Sequence, residues 1–343
     1  MTDFYSGATV RYDRHGTGHV AAVAPEYTEG TALDPLGRII TTTRFSHYLM
    51  RLDPATCIQS VIDPQLPNNE GPTFDFEGNL YVGDNRHNRV VEYTWPQYPG
   101  QKPVLIYDFE KETGQGTFLE DLKIAPEGSP YKGDLFVQYS AGARFGAFQA
   151  ALGVGGTDQI ARFTRTENGW ERQADFYDMR VVHARFESLG MAFHPDGSLL
   201  VNDFTGTGNI IRISPDGKFH TVFATIPPRP GEHLVKIDVT QPDGYVYVTG
   251  VAGSCTGQAA AESSTRLIRL DPNGGRMVPD FTDISEDRCF VGVSVPHHFT
   301  PDLDIPFIPP PVLPPIAAIA APPPPPPPPP IPVLAPAPAP APA

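Results

Sequence analysis

EGPTFDFEGNLYVGDNRHNRVVEYTW, residues 70–95, is the stretch that decides the fold. A short apolar strand, Pro72–Phe76, runs into a Glu77-Gly78 turn. An alternating strand, Leu80–Gly83, follows, and the polar loop Asp84–Arg89 leads to a third strand, Val90–Thr94. Short strands of period two joined by tight turns make an antiparallel meander. The same order recurs in EGTALDPLGRIITTTRFSHYLMRLD (29–53) and in ESLGMAFHPDGSLLVNDFTGTGNIIRIS (187–214). In residues 232–271, EHLVKIDVTQPDGYVYVTG is followed by a longer loop and RLIRLD. Residues 118–164 are a looser copy, in which FLEDLKIAPEGSPYKGDLFVQY joins QIARFT through a Gly/Ala-rich insertion. Asp34-Pro35-Leu36-Gly37, Pro195-Asp196-Gly197 and Pro242-Asp243-Gly244 put Pro and Gly where sharp reversals need them. Alternation at Leu80 and Val82, Leu199 and Val201, Tyr245 and Tyr247 suits half-buried sheet faces.

Two independent counts agree on six copies. Third strands are centred on Arg11-Tyr12-Asp13, Arg51-Leu52-Asp53, Glu92-Tyr93, Arg162-Phe163, Arg212-Ile213 and Arg269-Leu270-Asp271. First strands begin near Glu29, Glu70, Glu120, Glu187, Glu232 and Glu286. The expected fold is all-β: a six-bladed β-propeller over residues 1–304. The last blade is shared by a third and a fourth strand from the N-terminus (Thr9–Asp13, His19–Ala24) and a first and second from the C-terminus (Phe290–Val295, Leu303–Ile308). Such closure leaves no free sheet edge. Spacing of about 40–70 residues per copy argues against a β-sandwich.

Residues 305–343 carry no charge and hold 20 of the 41 prolines, nine of them consecutive at Pro322–Pro330. Proline cannot donate to a helix or a ladder, so this tail reads as an extended, disordered polyproline II spacer. Its other reading is a ligand for a proline-recognising domain.

The formal net charge is −14. An acidic surface repels phosphates, so nucleic acid and anionic membrane are not expected partners. No proline-free apolar run is long enough for a membrane helix, and the first residues lack a basic and apolar leader. These features point to a cytoplasmic, monomeric protein acting on a small molecule. Of the three cysteines, Cys255 and Cys289 are a possible pair with Cys57 left over, but free buried thiols are the simpler reading.

In a propeller the first strands line the central channel, and the residues entering them meet at its mouth. Alignment on Asp34, Asp75, Ala125, His194 and Asp238 puts Glu29, Glu70, Glu120, Leu189 and His233 five positions earlier in each copy. Three carboxylates in a small space repel each other unless a cation or protons intervene. A hard divalent cation, Ca²⁺ most simply, fits oxygen ligands, and a histidine admits Zn²⁺ or Mn²⁺. The expected metal ligands are Glu29, Glu120, His233 and Asp203, with Glu70, Glu120 and His183 as catalytic groups. Asn202 and Asp203 share a loop position after the second strand, where turn capping is an equal reading. A lone loop histidine such as His183 is more often an ordinary surface residue, and the pair His297-His298 reads equally as channel-mouth or exposed loop residues. No Gly-x-Ser-x-Gly, phosphate loop, dinucleotide fingerprint or His-Glu-x-x-His occurs, which disfavours serine hydrolases and nucleotide enzymes.

EGTALDPLGRI resembles the first-blade motif of the senescence-marker-protein/gluconolactonase-like family, and GMAFHPDGSLLVND resembles a later segment of it. That resemblance, over residues 29–275, implies a six-bladed propeller with a divalent metal in the channel and lactone hydrolysis. It implies Glu29 as first metal ligand and Glu120 as the nearest match to a second. The family's asparagine ligand is replaced here by Leu189, and its next acidic ligand by Glu232 or His233. GNLYVGDNRHNRVVEY is similar to an NHL repeat, which implies that Asp84, Asn88 and Arg89 brace one blade against another.

The leading expectation is a metal-dependent lactone or ester hydrolase, in which the cation polarises the carbonyl and Glu70 or Glu120 acts as general base. One alternative is a non-catalytic binding propeller that uses the insertion 140–157. The other is a lyase resembling the streptogramin lyases, built on His183 or His233.

Overall fold

In the computed structural model of the chain, residues 1–295 are described apart from 4–7, 13–15, 24–27, 44–46, 57, 67–68, 114–116, 142–156, 185, 254–263, 280 and 282–289. The described residues belong to one compact unit, Met1–Pro306. The three cysteines, Glu286, His297-His298, the core of the Gly/Ala-rich insertion and the proline tail lie outside the described residues.

The unit is all-β, a propeller of antiparallel sheets. Blade 1 runs Thr28–Leu33, Ile39–Thr43, Leu49–Asp53, Ile58–Asp63, and blade 2 runs Asn69–Phe74, Leu80–Asp84, Arg89–Tyr93, Val104–Asp108. Blade 3 contains Thr117–Ile124, Leu135–Ala141, Thr157–Thr166 and Gly169–Arg172, with Tyr177–Asp178 added on its third strand. Blade 4 contains Met191–Phe193, Leu199–Asn202, Asn209–Ile213 and His220–Thr225, and blade 5 Glu232–Val239, Val246–Ala252, Ser264–Leu270 and Met277–Val278. Five blades are therefore built from consecutive strands, not the six expected. A further sheet joins the two chain ends, in the order Phe290–Gly292, Thr2–Asp3, Ala8–Tyr12, Gly18–Val23. The second strand of this composite comes from the N-terminus, at Thr2–Asp3. The strand expected at Leu303–Ile308 lies outside the described residues.

The cores sit between blades. Leu80 and Val82 of blade 2 pack with Ile40, Leu49 and Ile62 of blade 1, while Tyr81 between them packs with Leu119, Leu122 and Phe163 of blade 3. Leu199 and Val201 of blade 4 join Phe136 and Ile160 of blade 3, while Leu200 joins Ile237 and Val248 of blade 5. Second strands are thus apolar on both faces, because each blade is sandwiched by two neighbours. The half-buried faces expected from period two are corrected accordingly, and Tyr245 is exposed, with the buried alternation falling on Val246 and Val248.

Near the channel the first strands of blades 1, 2, 3 and 5 each carry a β-bulge. In blade 1, Thr28 pairs Thr43 and Thr31 pairs Thr41, so Glu29-Gly30 oppose Thr42 alone. In blade 2, Gly71-Pro72 oppose Val82, and in blade 5, Val235-Lys236 oppose Thr249. In blade 3 the register slips at Glu120. The bulge is chemically the same in blades 1 and 5: Gly30 N donates to Thr42 Oγ1 (2.8 Å) and Lys236 N to Thr249 Oγ1 (3.0 Å). Two-against-one pairing re-aims side chains and bends the strand. It also brings neighbouring strands close together. A Cβ on Gly71 (φ +50°) would sit 2.6 Å from Leu122 N, so only glycine fits there.

Candidate functional site

The bulges set which residues reach the channel mouth. Glu29 is matched by Gly71 and Val235, and Gly30 by Pro72 and Lys236. Glu70 lies one position earlier, level with Thr28. His233 lies two positions before Val235 and is not a channel residue. Its ring stacks on Phe204 with centroids 4.8 Å apart, and its Nδ1 is 2.6 Å from the Phe204 carbonyl oxygen. The five-residue spacing misplaced it because blade 5 enters its turn at Thr240, whose N–H bonds to Tyr245 O as Asp34 N–H bonds to Arg38 O. Asp238 is two residues early, and it binds Val295 N (2.8 Å) across to the C-terminal segment.

In blade 5 the register of Glu29 falls on Val235, and the charged side chain that enters the channel is its neighbour Lys236. Its side chain is buried, and Nζ donates to the Glu120 carbonyl oxygen at 2.8 Å, reaching from blade 5 across to blade 3. Burial disfavours its charge, but the carboxylates of Asp121, Glu70, Glu29 and Glu120 outweigh that and hold its pKa above the ordinary lysine value. The charges of Glu29, Glu70, Glu120 and Asp121 thus all act on this one ammonium. Asp121 is held by Lys123 Nζ (3.3 Å), Leu122 N (2.9 Å) and, from blade 4, Met191 N (3.0 Å). Among the described residues, no group of three or more His, Cys, Asp and Glu side chains is placed to hold a metal ion. The residues as they stand fit a divalent cation poorly, because a buried ammonium beside the carboxylates repels it.

A second cluster lies where blade 4 begins. After the single 3₁₀ turn Met179–Val181, His183 presents a ring whose Nε2 is 3.0 Å from Asp203 Oδ2. Asp203 is 1 % exposed, whereas the His183 side chain is 36 % exposed. Thr207 Oγ1 (2.6 Å), Thr205 N (2.9 Å) and Thr205 Oγ1 (2.6 Å) also donate to Asp203 and fix the carboxylate. With Nε2–H given to Asp203, Nδ1 carries the lone pair that can accept a proton.

Two further buried acids stand beside this pair. Glu187, whose carbonyl oxygen accepts from Phe204 N (2.8 Å), is 4 % exposed. Burial first, then the charges of Asp158 and Asp203, push its carboxyl up to about 9. Asp158 is raised to about 7, chiefly by burial, against hydrogen bonds from Ser140 Oγ, Ser188 N (2.6 Å) and Gln138 Nε2 (3.4 Å). At neutral pH Glu187 is a neutral acid. Strongly shifted acids grouped at one channel end are a mark of functional sites. Sequence reading counted Glu187 only as a strand head and passed over Asp158. The available signal was the acid heading every first strand, Glu29, Glu70, Glu120, Glu187 and Glu232.

Glu232 is structural. Arg266 binds it through Nε (2.7 Å) and Nη2 (2.6 Å) in a buried fork. Asp84, Asn88 and Arg89 are structural too, but they act locally: Asp84 binds His87 (2.8 Å) and Arg89 (2.9 Å) within blade 2, and Asn88 binds Glu110 (3.2 Å) in the short helix Phe109–Thr113 that follows it. The inter-blade brace is Asn85, which exchanges two hydrogen bonds with the backbone of Leu119. A groove of about 720 Å³ between the outer strands of blades 3 and 4, lined by Phe176, Tyr177, Arg180, Phe219 and His220, includes neither His183 nor the channel acids.

No family model matches the chain, and no curated protein does. Solved structures do. A chain of the nidogen/laminin complex superposes with a TM-score of 0.60 at 14 % identity, covering 85 % of this chain and 96 % of that one. A gluconolactonase from Xanthomonas campestris gives 0.51 at 15 % identity, covering 82 % and 80 %. Regucalcin from Agrobacterium tumefaciens, a calcium-binding protein, gives 0.50 at 13 % identity, covering 73 % and 72 %. At such identities the likeness establishes the β-propeller fold alone.

Proposed function

We propose that the chain is a lactone or ester hydrolase in which the composite sheet closes the ring as a sixth blade and catalysis uses the His183–Asp203 pair. The observation that carries this reading is the 3.0 Å contact between a fully buried carboxylate and a histidine open to solvent. Asp203 orients the ring and stabilises the imidazolium that forms. Nδ1 takes a proton from water as the water oxygen attacks the carbonyl carbon. Collapse of the tetrahedral adduct breaks the acyl C–O bond, and the proton returns to the leaving oxygen, giving acid and alcohol. The neutral Glu187 carboxyl keeps the charge near the pair low. A small neutral or cationic substrate suits the acidic chain. The likeness to a gluconolactonase fold agrees with this reading.

The test is hydrolysis of γ- and δ-lactones and of p-nitrophenyl acetate in the presence of EDTA. His183→Ala and Asp203→Asn should each lower kcat by about 10²–10⁴, while Glu29→Gln leaves it unchanged. Turnover absent from the wild type, or retained by His183→Ala, overturns the assignment. Loss of turnover in EDTA restores the metal-dependent alternative.

A further inference from the structure

Lys236 is a buried cationic side chain at the channel mouth, beside the carboxylates expected to ligate a metal. It comes from the bulge of the first strand of blade 5, at the position that is Gly30 in blade 1. A long side chain there enters the channel rather than a blade interface, and its Nζ reaches Glu120 O on blade 3 without involving blade 4. Glu29, Asp121, Lys123 and Lys236 line one narrow cleft at this mouth, with Gly30 and Thr31 between them. Glu70, Glu120 and Asp121 are each at most 3 % exposed. Buried charges of one sign are tolerated only when opposite charge is fixed among them.

We propose that Lys236 is a built-in substitute for a divalent cation, and that the channel mouth becomes a metal site only when this ammonium is removed. The donor chemistry supports it. Glu29, Glu70, Glu120 and Asp121 supply carboxylate oxygens, and the Glu120 carbonyl supplies one more. That is a hard-oxygen set of the kind Ca²⁺ takes. The Lys236 ammonium, tied to the Glu120 carbonyl oxygen, sets a single positive charge fixed to the chain beside these carboxylates. This inference is independent of the hydrolase reading, whose residues lie at His183 and Asp203.

The experiment uses the full chain, wild type and with Lys236→Gln and Lys236→Ala, each prepared and refolded in EDTA and in Ca²⁺. Metal content is read by equilibrium dialysis and native mass spectrometry, and Tm by calorimetry. The wild type should bind no Ca²⁺ at the mouth and keep its Tm in EDTA. The two variants should take up one Ca²⁺ and gain a Tm on the order of 4 °C at calcium a hundredfold above Kd. Folding of a variant only when Ca²⁺ is present also supports the proposal. Variants that fold equally well, or fail equally, with and without Ca²⁺ overturn it. A tight metal in the wild type that Glu29→Gln abolishes overturns it as well.

Discussion

Glu187→Gln is expected to stabilise the protein at neutral and alkaline pH. The Glu187 carboxyl moves from 4.5 to about 9 on folding, because burial and then Asp158 and Asp203 oppose its charge. Between those values the folded state holds a proton that the unfolded state has released. Stability therefore falls as pH rises through this window, and it is greatest below the unfolded value. Each pH unit costs about 1.4 kcal/mol, so raising pH from 5 to 8 removes about 4 kcal/mol through this one side chain. Glutamine is neutral in both states and nearly isosteric, so the variant lacks that slope. Urea unfolding of both proteins at pH 5 and pH 8 measures the difference. With an m-value of about 3 kcal/mol/M, the variant's midpoint should exceed the wild type's by roughly 1 M at pH 8 and match it closely at pH 5. A variant no more stable than wild type at pH 8, or equal slopes in both, would refute the claim that Glu187 is neutral in the fold. Asp158→Asn should remove a separate slope between 3.8 and about 7, where the Asp158 carboxyl is displaced.

Asn85→Ala removes both inter-blade hydrogen bonds to Leu119, and unfolding should become easier by about 2–4 kcal/mol in urea titrations. Asp84→Asn, confined to one loop, should cost less. Arg266→Met strands the Glu232 carboxylate in the core, with an expected loss of roughly 3–5 kcal/mol. The double variant with Glu232→Gln should recover much of that loss in the same urea titrations, and no recovery would mean that Arg266 acts by packing alone.

The meander was legible because its signals are local. Asp34-Pro35-Leu36-Gly37 and Pro195-Asp196-Gly197 close hairpins, with Gly37 N bonding to Asp34 O and Gly197 N to His194 O. Alternation at Leu80–Val82 and Leu199–Val201 marked the second strands. It did not show that both faces are covered, because Tyr81 and Leu200 look like ordinary outward residues until the next blade packs on them. The composite sheet was legible in part. The apolar N-terminal strands have no first strand of their own, but Thr2–Asp3 is too short to carry a periodic signal.

The candidate site was harder to read because a bulge has no spacing signature. Counting back from a turn assumes an unbroken ladder, and two residues in one strand shift every side chain beyond them. In blade 2 the shift is one residue, and Glu70 still reaches the acidic group. In blade 5 the anchor itself was two residues early, so the count landed on His233 while Lys236 entered the channel. A better anchor was present in the second strands: Thr42 of IITTT and Thr249 of VYVTG each accept the bulge N–H. Alignment on those threonines puts Gly30 against Lys236 directly. A lysine also invites neglect, since most lysines are solvated and few are buried without partners. Here the partners are the acids that the sequence did reveal. Clustered carboxylates call for positive charge, and this chain sets one of its own ammonium groups beside them.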